Sequence, residues 1–161
     1  MDDVSLRRYH PDDAEAVWDL HVTALRDAGG YDEAFAHRDT DLERVVEAYL
    51  GTDGEFLVVE DGGGELVAMG GFQPAEDDGA AVVRRMRVRP DRQREGFGSL
   101  VLAELEARAR EAGFDRLTLD TSTDMAAAMR FYEAHGYREF DREHVDAADT
   151  TLVFYEKLLD G

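Results

Sequence analysis

The chain contains no cysteine, no asparagine and no isoleucine, and Lys157 is its one lysine. Without cysteine there can be no disulfide, no thiolate metal site and no cysteine nucleophile. No apolar run of about 18 residues is present, which argues against a membrane-spanning helix. The opening Met1-Asp2-Asp3-Val4 has neither the basic nor the apolar region of a secretory leader, so a soluble, cytoplasmic protein is expected. Positive charge is also scarce, with 18 Lys plus Arg against 37 Asp plus Glu and a net charge of −19. Such a field repels nucleic acid and anionic membranes, and neither is expected as a partner.

What remains is ordinary globular material, 43% hydrophobic and 34% charged over 161 residues. That length suits one domain, residues 1–161, burying roughly 70% of the unfolded surface. All the basic residues except Lys157 are arginine. A strongly acidic domain repels itself in dilute buffer, but in molar salt the Debye length falls to about 3 Å and the penalty is screened. Acid excess with almost no lysine therefore reads as adaptation to a salty cytoplasm, a halophile. The plainer reading is an acidic protein from a GC-rich genome.

The pattern predicts a mixed α/β domain. Val4 to Arg8 is a short strand. Pro11-Asp12-Asp13-Ala14-Glu15 opens a helix with Asp12 as N-cap and Glu15 completing a capping box, ending at Gly29-Gly30. Thr40 and Glu43 open a second helix that stops at Gly51. Phe56 to Glu60 and Leu66 to Phe72 are strands joined by the turn Asp61-Gly62-Gly63-Gly64. A strand from Ala80 to Arg89 is halted by Pro90. A helix follows from Gly96 to Ala112, with Phe97, Val101, Leu105 and Ala109 on one face. Arg116 to Thr121 is a strand, Met125 to His135 a helix, Tyr137 to Asp141 a short extended piece, and Thr151 to Leu159 the last strand.

The segment Arg84 to Glu95 reverses the charge balance of the chain. Six arginines lie between positions 84 and 94, against the acids Asp91 and Glu95. Directly after it, Gly96 and Gly98 open a helix, whose unpaired amides and dipole attract anions. Glycine lets a phosphate approach the backbone because no Cβ intervenes. A tight turn with arginines paired to surplus carboxylates explains the same residues. No Walker sequence is present, and Gly96-Phe97-Gly98-Ser99-Leu100-Val101 lacks the third glycine of a dinucleotide fingerprint.

Gln93-Arg94-Glu95-Gly96-Phe97-Gly98 resembles the Gln/Arg-x-x-Gly-x-Gly/Ala signature of the GNAT family of N-acetyltransferases. Arg85 to Pro90 is similar to the strand before that signature. Ala128-Met129-Arg130-Phe131-Tyr132-Glu133-Ala134-His135-Gly136-Tyr137 resembles the family's Ala-x-x-x-Tyr-x-x-x-Gly-Phe/Tyr motif. The order of elements matches from Val4 to Leu159. The resemblance implies a mixed, mostly antiparallel twisted sheet of six to seven strands flanked by about four helices.

It also implies an acetyl-CoA site. Arg92, Gln93, Arg94, Glu95, Gly96, Phe97 and Gly98, with Ser99 adjacent, would hold the pyrophosphate. Met86, Arg87 and Val88 would carry the pantetheine arm along a strand edge through backbone groups. The Val88 amide would donate to the thioester carbonyl, a contact typically worth roughly 3–4 kcal/mol in a transition state. Tyr132 would protonate the departing thiolate; as an isolated residue it reads equally as a packing aromatic. Many relatives carry a glutamate base at the position of Val82, which cannot accept a proton. Glu60, Asp120 and Asp124 are nearby carboxylates, each explicable as a surface or capping group. The asparagine that often precedes the tyrosine motif is replaced by Met125.

The histidines at 10, 21, 37, 135 and 144 form no i,i+4 pair, and no metal is expected. His135 reads as a helix-end residue. The function implied is acyl transfer, acetyl by preference, directly to an amine in a ternary complex. By the same resemblance the acceptor enters beside the N-terminal helices and the loop from Gly29 to Arg38. A non-catalytic acyl-CoA-binding module, an acyltransferase to a hydroxyl or thiol, and a protein that binds no CoA stay open, as does a homodimer.

Overall fold

Four consecutive apolar residues, Phe56 to Val59, are fully buried and form the middle of strand β2 (Glu55–Glu60). An unbroken apolar run marks a strand covered on both faces, and the rest of the molecule is arranged as two layers over it. In the computed structural model, residues 4–28, 41–76, 79–123, 125–146 and 149–159 are described. The strands are β1 (Ser5–Arg8), β2, β3 (Leu66–Pro74), β4 (Ala80–Val88), β5 (Arg116–Ser122), β6 (Arg138–Val145) and β7 (Thr150–Leu158). The helices are α1 (Ala14–Ala28), α2 (Phe97–Glu111) and α3 (Ala126–Ala134). All seven strands form one sheet, ordered β1-β2-β3-β4-β5-β7-β6, with β4 and β5 parallel and every other pair antiparallel.

One face packs under α2, where Val101, Leu102, Leu105 and Ala109 meet Leu57, Val59, Val83 and Leu117. The other packs under α1 and the segment after it, where Val17, Leu20, Leu42 and Tyr49 meet Phe56, Val58 and Met69. Lys157 reaches from β7 to the mostly buried Glu106 of α2, 3.0 and 3.2 Å away, and Tyr137 donates its hydroxyl to the same carboxylate at 3.0 Å.

The first helix starts differently from the sequence expectation. His10, not Asp12, is the cap: its Nδ1 accepts the Asp12 amide at 3.1 Å, and Asp13, not Glu15, accepts the His10 amide at 2.8 Å. Pro11 presets the first turn, a 3-10 turn over Pro11–Asp13 that leads into α1. Arg7 holds Asp13 in place with bonds of 2.8 and 3.0 Å. The expected stop at Gly29-Gly30 and the cap at Thr40 lie outside the described residues.

In place of a regular second helix there is a 3-10 turn at 41–43 and a π-helical turn over Val46–Leu50, closed by Gly51 N–H to Val46 C=O at 2.5 Å. The wide turn brings Tyr49 fully inside, with its hydroxyl 2.5 Å from Asp41 Oδ2. Strand β6 is longer than expected. Its first seven residues are exposed, so neither face carries an apolar alternation.

Candidate active site

Strands β4 and β5 pair only from Ala80–Val82 to Arg116–Thr118. Beyond that point β4 follows β3 and β5 follows β7, so the two strands diverge and leave a wedge in the sheet. The wedge opens at Val82, the position where a glutamate base is expected by resemblance, and β4 offers none there.

A bulge re-aims β4 along this edge. Gly71 faces Arg84 and Met69 faces Arg87, so Gly70 stands opposite both Arg85 and Met86, and Arg85 takes φ 60. Gly70 leaves room for the Met86 side chain, whose sulfur would lie 2.4 Å from a Cβ there and would have to move aside. The bulge turns Met86 and Val88 toward the α2 layer and Arg84, Arg85 and Arg87 toward the α1 layer. Arg89 N–H bonds to Val67 C=O at 2.9 Å. Backbone groups alternate along an antiparallel ladder, so the Val88 amide and the Met86 carbonyl face the side that β5 has left.

The arginine cluster thus divides in two. On the α1 face, Arg85 grips Asp41 at 2.7 and 3.0 Å, and both side chains are 17% exposed. Burial pushes the Asp41 carboxyl up, but bonds from Arg85 and Tyr49 outweigh it and the net shift is downward. Burial, then the Asp41 charge, drive the Tyr49 phenol far above its ordinary value. Arg87 donates from Nε to Nδ1 of the fully buried His21 at 3.3 Å and from Nη1 to the Met86 carbonyl at 2.9 Å. Arg84 is exposed and makes no ion pair among the described residues. Nothing in the sequence marks His21, Asp41 or Tyr49 as partners of this strand; only the bulge brings them together.

The other three arginines belong to the glycine loop. Arg89 is paired with Glu65 and Asp91. Arg92 bonds to Glu95 at 2.9 Å and to Asp61 of the β2–β3 turn at 3.3 Å, bracing the loop. Arg94, at φ 68, is exposed and makes no ion pair among the described residues. Gln93 and Glu95 are exposed beside it.

Gly96 caps α2 at φ 89, and a Cβ there would meet open space. The first bond within the helix is Leu100 N–H to Gly96 C=O at 3.0 Å, leaving the amides of Phe97, Gly98 and Ser99 outside the helical ladder. Gly98 serves packing instead, because a Cβ would stand 3.3 Å from the Phe131 ring and its absence lets α3 close on α2. His135 Nδ1 lies 2.7 Å from Phe131 C=O and its Nε2 lies 2.8 Å from Ser99 Oγ. A carbonyl only accepts, so Nδ1 carries the proton and Nε2 accepts from the serine hydroxyl. His135 is therefore a helix-end brace between α3 and α2.

Tyr132 projects from α3 with 8% exposure, in edge contact with Phe131 and Tyr137. Its hydroxyl makes no hydrogen bond among the described residues. Burial pushes the phenol up to about 12, while the charge of Arg87 pulls it down and Asp120 pushes it up. Asp120 is exposed on β5, on the side opposite the buried Leu117 and Leu119. Glu60 is engaged by Arg7 at 3.2 Å, and Asp124 lies outside the described residues. Among the described residues no group of three or more His, Asp or Glu could hold a metal ion, and no helix is long and apolar enough to cross a membrane.

A diverging strand pair, a bulged edge whose Val88 amide faces the gap and a glycine-opened helix define an acyltransferase fold. The acetyltransferase (GNAT) family matches residues 14–137, and the chain belongs to that family. It is 26% identical over 109 residues to an uncharacterised N-acetyltransferase of Schizosaccharomyces pombe, covering 68% of this chain and 67% of that protein. The fold matches a GNAT-family acetyltransferase from Staphylococcus aureus with a TM-score of 0.85 at 20% identity, covering 98% of this chain and all of the other. It matches an acetyltransferase from Salmonella typhimurium, solved with acetyl-CoA, with a TM-score of 0.77 at 20% identity over 98% of this chain and 94% of that one.

Proposed function

We propose that the chain transfers an acetyl group from acetyl-CoA directly to an amine in a ternary complex. What supports this reading is the parting of β4 and β5 beyond Val82 and Thr118, with the Tyr132 phenol under the charges of Arg87 on one strand and Asp120 on the other, and the first amides of α2 left outside the helical ladder. The residues present suit the cofactor: Gly96 leaves open space above the loop, and the Phe97, Gly98 and Ser99 amides with Arg94 supply donors for a pyrophosphate. The Val88 amide would hold the pantetheine arm, with the Met86 carbonyl shared between that arm and Arg87 Nη1. Acetyl-CoA would supply the acyl group as an activated thioester.

The Val88 amide would donate to the carbonyl oxygen as negative charge builds there. Tyr132 would meet the departing sulfur. At about 12 its phenol is a weaker acid than an ordinary thiol near 8.5, so complete proton transfer would run roughly 5 kcal/mol uphill. Tyr132 therefore acts chiefly as a hydrogen-bond donor to the developing thiolate, with the Arg87 charge assisting. Because Val82 is no base, the amine would lose its proton to water, with Asp120 an exposed carboxylate on β5 just beyond the point where the strands part.

Two-substrate initial-velocity measurements test the reading. Intersecting lines with thiol release dependent on an amine support direct transfer; parallel lines refute it. Val82 favours a second reading, a module that binds acyl-CoA without turnover, and saturable CoA binding with no thiol release over amine, alcohol and thiol panels would establish it.

A further inference from the structure

The acceptor side of the wedge has a charge pattern that narrows the acceptor. The bulge puts three guanidinium groups, Arg84, Arg85 and Arg87, on the α1 face of β4 just before Val88. Asp41 occupies Arg85, and Arg87 is turned onto His21 and the Met86 carbonyl. Arg84 is exposed and makes no ion pair among the described residues, although the chain carries 37 acids against 18 bases. On the facing strand Asp120 projects on the same side of the sheet. One wall of the opening is thus basic and the other carries an exposed carboxylate.

We propose that the acceptor is an amine that also carries a carboxylate, an amino acid or a close relative, with Arg84 receiving the carboxylate and Asp120 facing the amino group. The proposal rests on the transfer reading above and names its substrate class. Val88 lies four positions after Arg84 and the bulge absorbs one step, so the two lie about three strand rises, or roughly 10 Å, apart. Leaning along the strand, an arginine side chain is long enough to cover most of that distance, which would leave a few bonds between carboxylate and amine.

The chemistry points the same way. A simple alkylammonium ion would be repelled by this wall, whereas a carboxylate makes a charge-assisted pair with it.

The test uses wild type and Arg84→Gln at one fixed KCl concentration. The twenty common α-amino acids are screened as acceptors, and each that reacts is compared with its decarboxylated amine, such as leucine with isopentylamine. The carboxylated member should have at least tenfold higher kcat/KM. Arg84→Gln should remove at least tenfold of that, mainly through KM, while moving the decarboxylated amine less than threefold. Arg138→Gln, an exposed arginine on β6, controls for loss of one charge and should change neither. Equal use of both members, or an equal loss for both in Arg84→Gln, overturns the proposal. Calorimetry of the same amino acids on the CoA-loaded protein separates the two readings. Arg84-dependent binding without turnover supports the carboxylate site and refutes transfer, and absence of binding refutes the site.

Discussion

Replacing Tyr132 with Phe isolates one hydroxyl. The ring keeps its edge contacts with Phe131 and Tyr137, and the hydroxyl makes no hydrogen bond among the described residues, so the fold loses nothing it uses. Stability should stay within about 0.5 kcal/mol of wild type. The catalytic cost follows from the elevated phenol. A donor pushed up to about 12 does not hand its proton outright to a thiolate, but it does bond to one. A hydrogen bond to a charged group is worth about 1.5–3 kcal/mol, which predicts a fall in kcat of roughly 10- to 150-fold. Acetyl-CoA affinity should not change, because the bond forms only as the sulfur leaves. Steady-state kinetics with a saturating amine in molar KCl, corrected for chemical thioester hydrolysis, provides the measurement. A change below about threefold would return Tyr132 to packing, and a loss of 10³ or more would mean full general-acid transfer instead. The pH profile gives a second check. The donor is lost only when the phenol ionises, so kcat should hold through pH 10, the ordinary tyrosine range, and fall as pH approaches about 12. A fall centred near 10 would refute the effect of burial.

Gly96→Ala forces a side chain into φ 89 and should cost about 1–2 kcal/mol of stability; CoA affinity by calorimetry should fall at least about tenfold, and unchanged affinity in a folded variant would make the loop a turn only. Gly98→Val presses on the Phe131 ring, where even a Cβ would be 3.3 Å away, and should destabilise by about 1–3 kcal/mol in urea titrations. Lys157→Met leaves the Glu106 carboxylate, among the described residues, with the Tyr137 hydroxyl alone and should cost about 1–3 kcal/mol, less than a fully buried pair because Lys157 is 27% exposed; Lys157→Met with Glu106→Gln should recover part of it. The net charge of −19 predicts that the unfolding midpoint rises from dilute buffer into molar KCl, and a flat or falling curve would remove the halophile reading.

Local signals were legible where one segment carried the whole pattern. Helix α2 announced itself through Gly96 and the stripe Phe97, Val101, Leu105, Ala109, all of it buried against the sheet. The turn at Asp61 followed from its glycines, and Asp61 Oδ1 indeed collects the amides of Gly63 and Glu65 at 3.0 and 2.9 Å. The strand β6 was cut short because residues 142–144 are polar and exposed on both faces; only pairing with β7 makes them a strand. His10 escaped notice as a cap because capping is usually the work of hydroxyl and carboxyl side chains. Within the candidate site the glycine loop and Tyr132 could be picked out by motif, but the acceptor wall could not. Strict alternation along β4 puts Arg85 and Arg87 with Val83 against α2, and Met86 on the opposite face. The bulge at Arg85 reverses both assignments, and the Met86 side chain it turns inward packs where Gly70 of another strand carries no Cβ.

Lys157 has a use beyond stability. It is the only side-chain primary amine in the chain, and its ammonium is held against Glu106 and lies over the Tyr137 ring at 5.6 Å. Bonded to both Glu106 oxygens and only 27% exposed, it is poorly placed to attack a thioester. An enzyme that handles activated acyl groups therefore presents almost no side chain on which those groups can land by accident. Acetyl-CoA at high concentration should leave its side chains unmodified over long incubations, and amine-reactive dyes should label them poorly. Acyl groups found on added amines can then be counted with little background from acylated side chains.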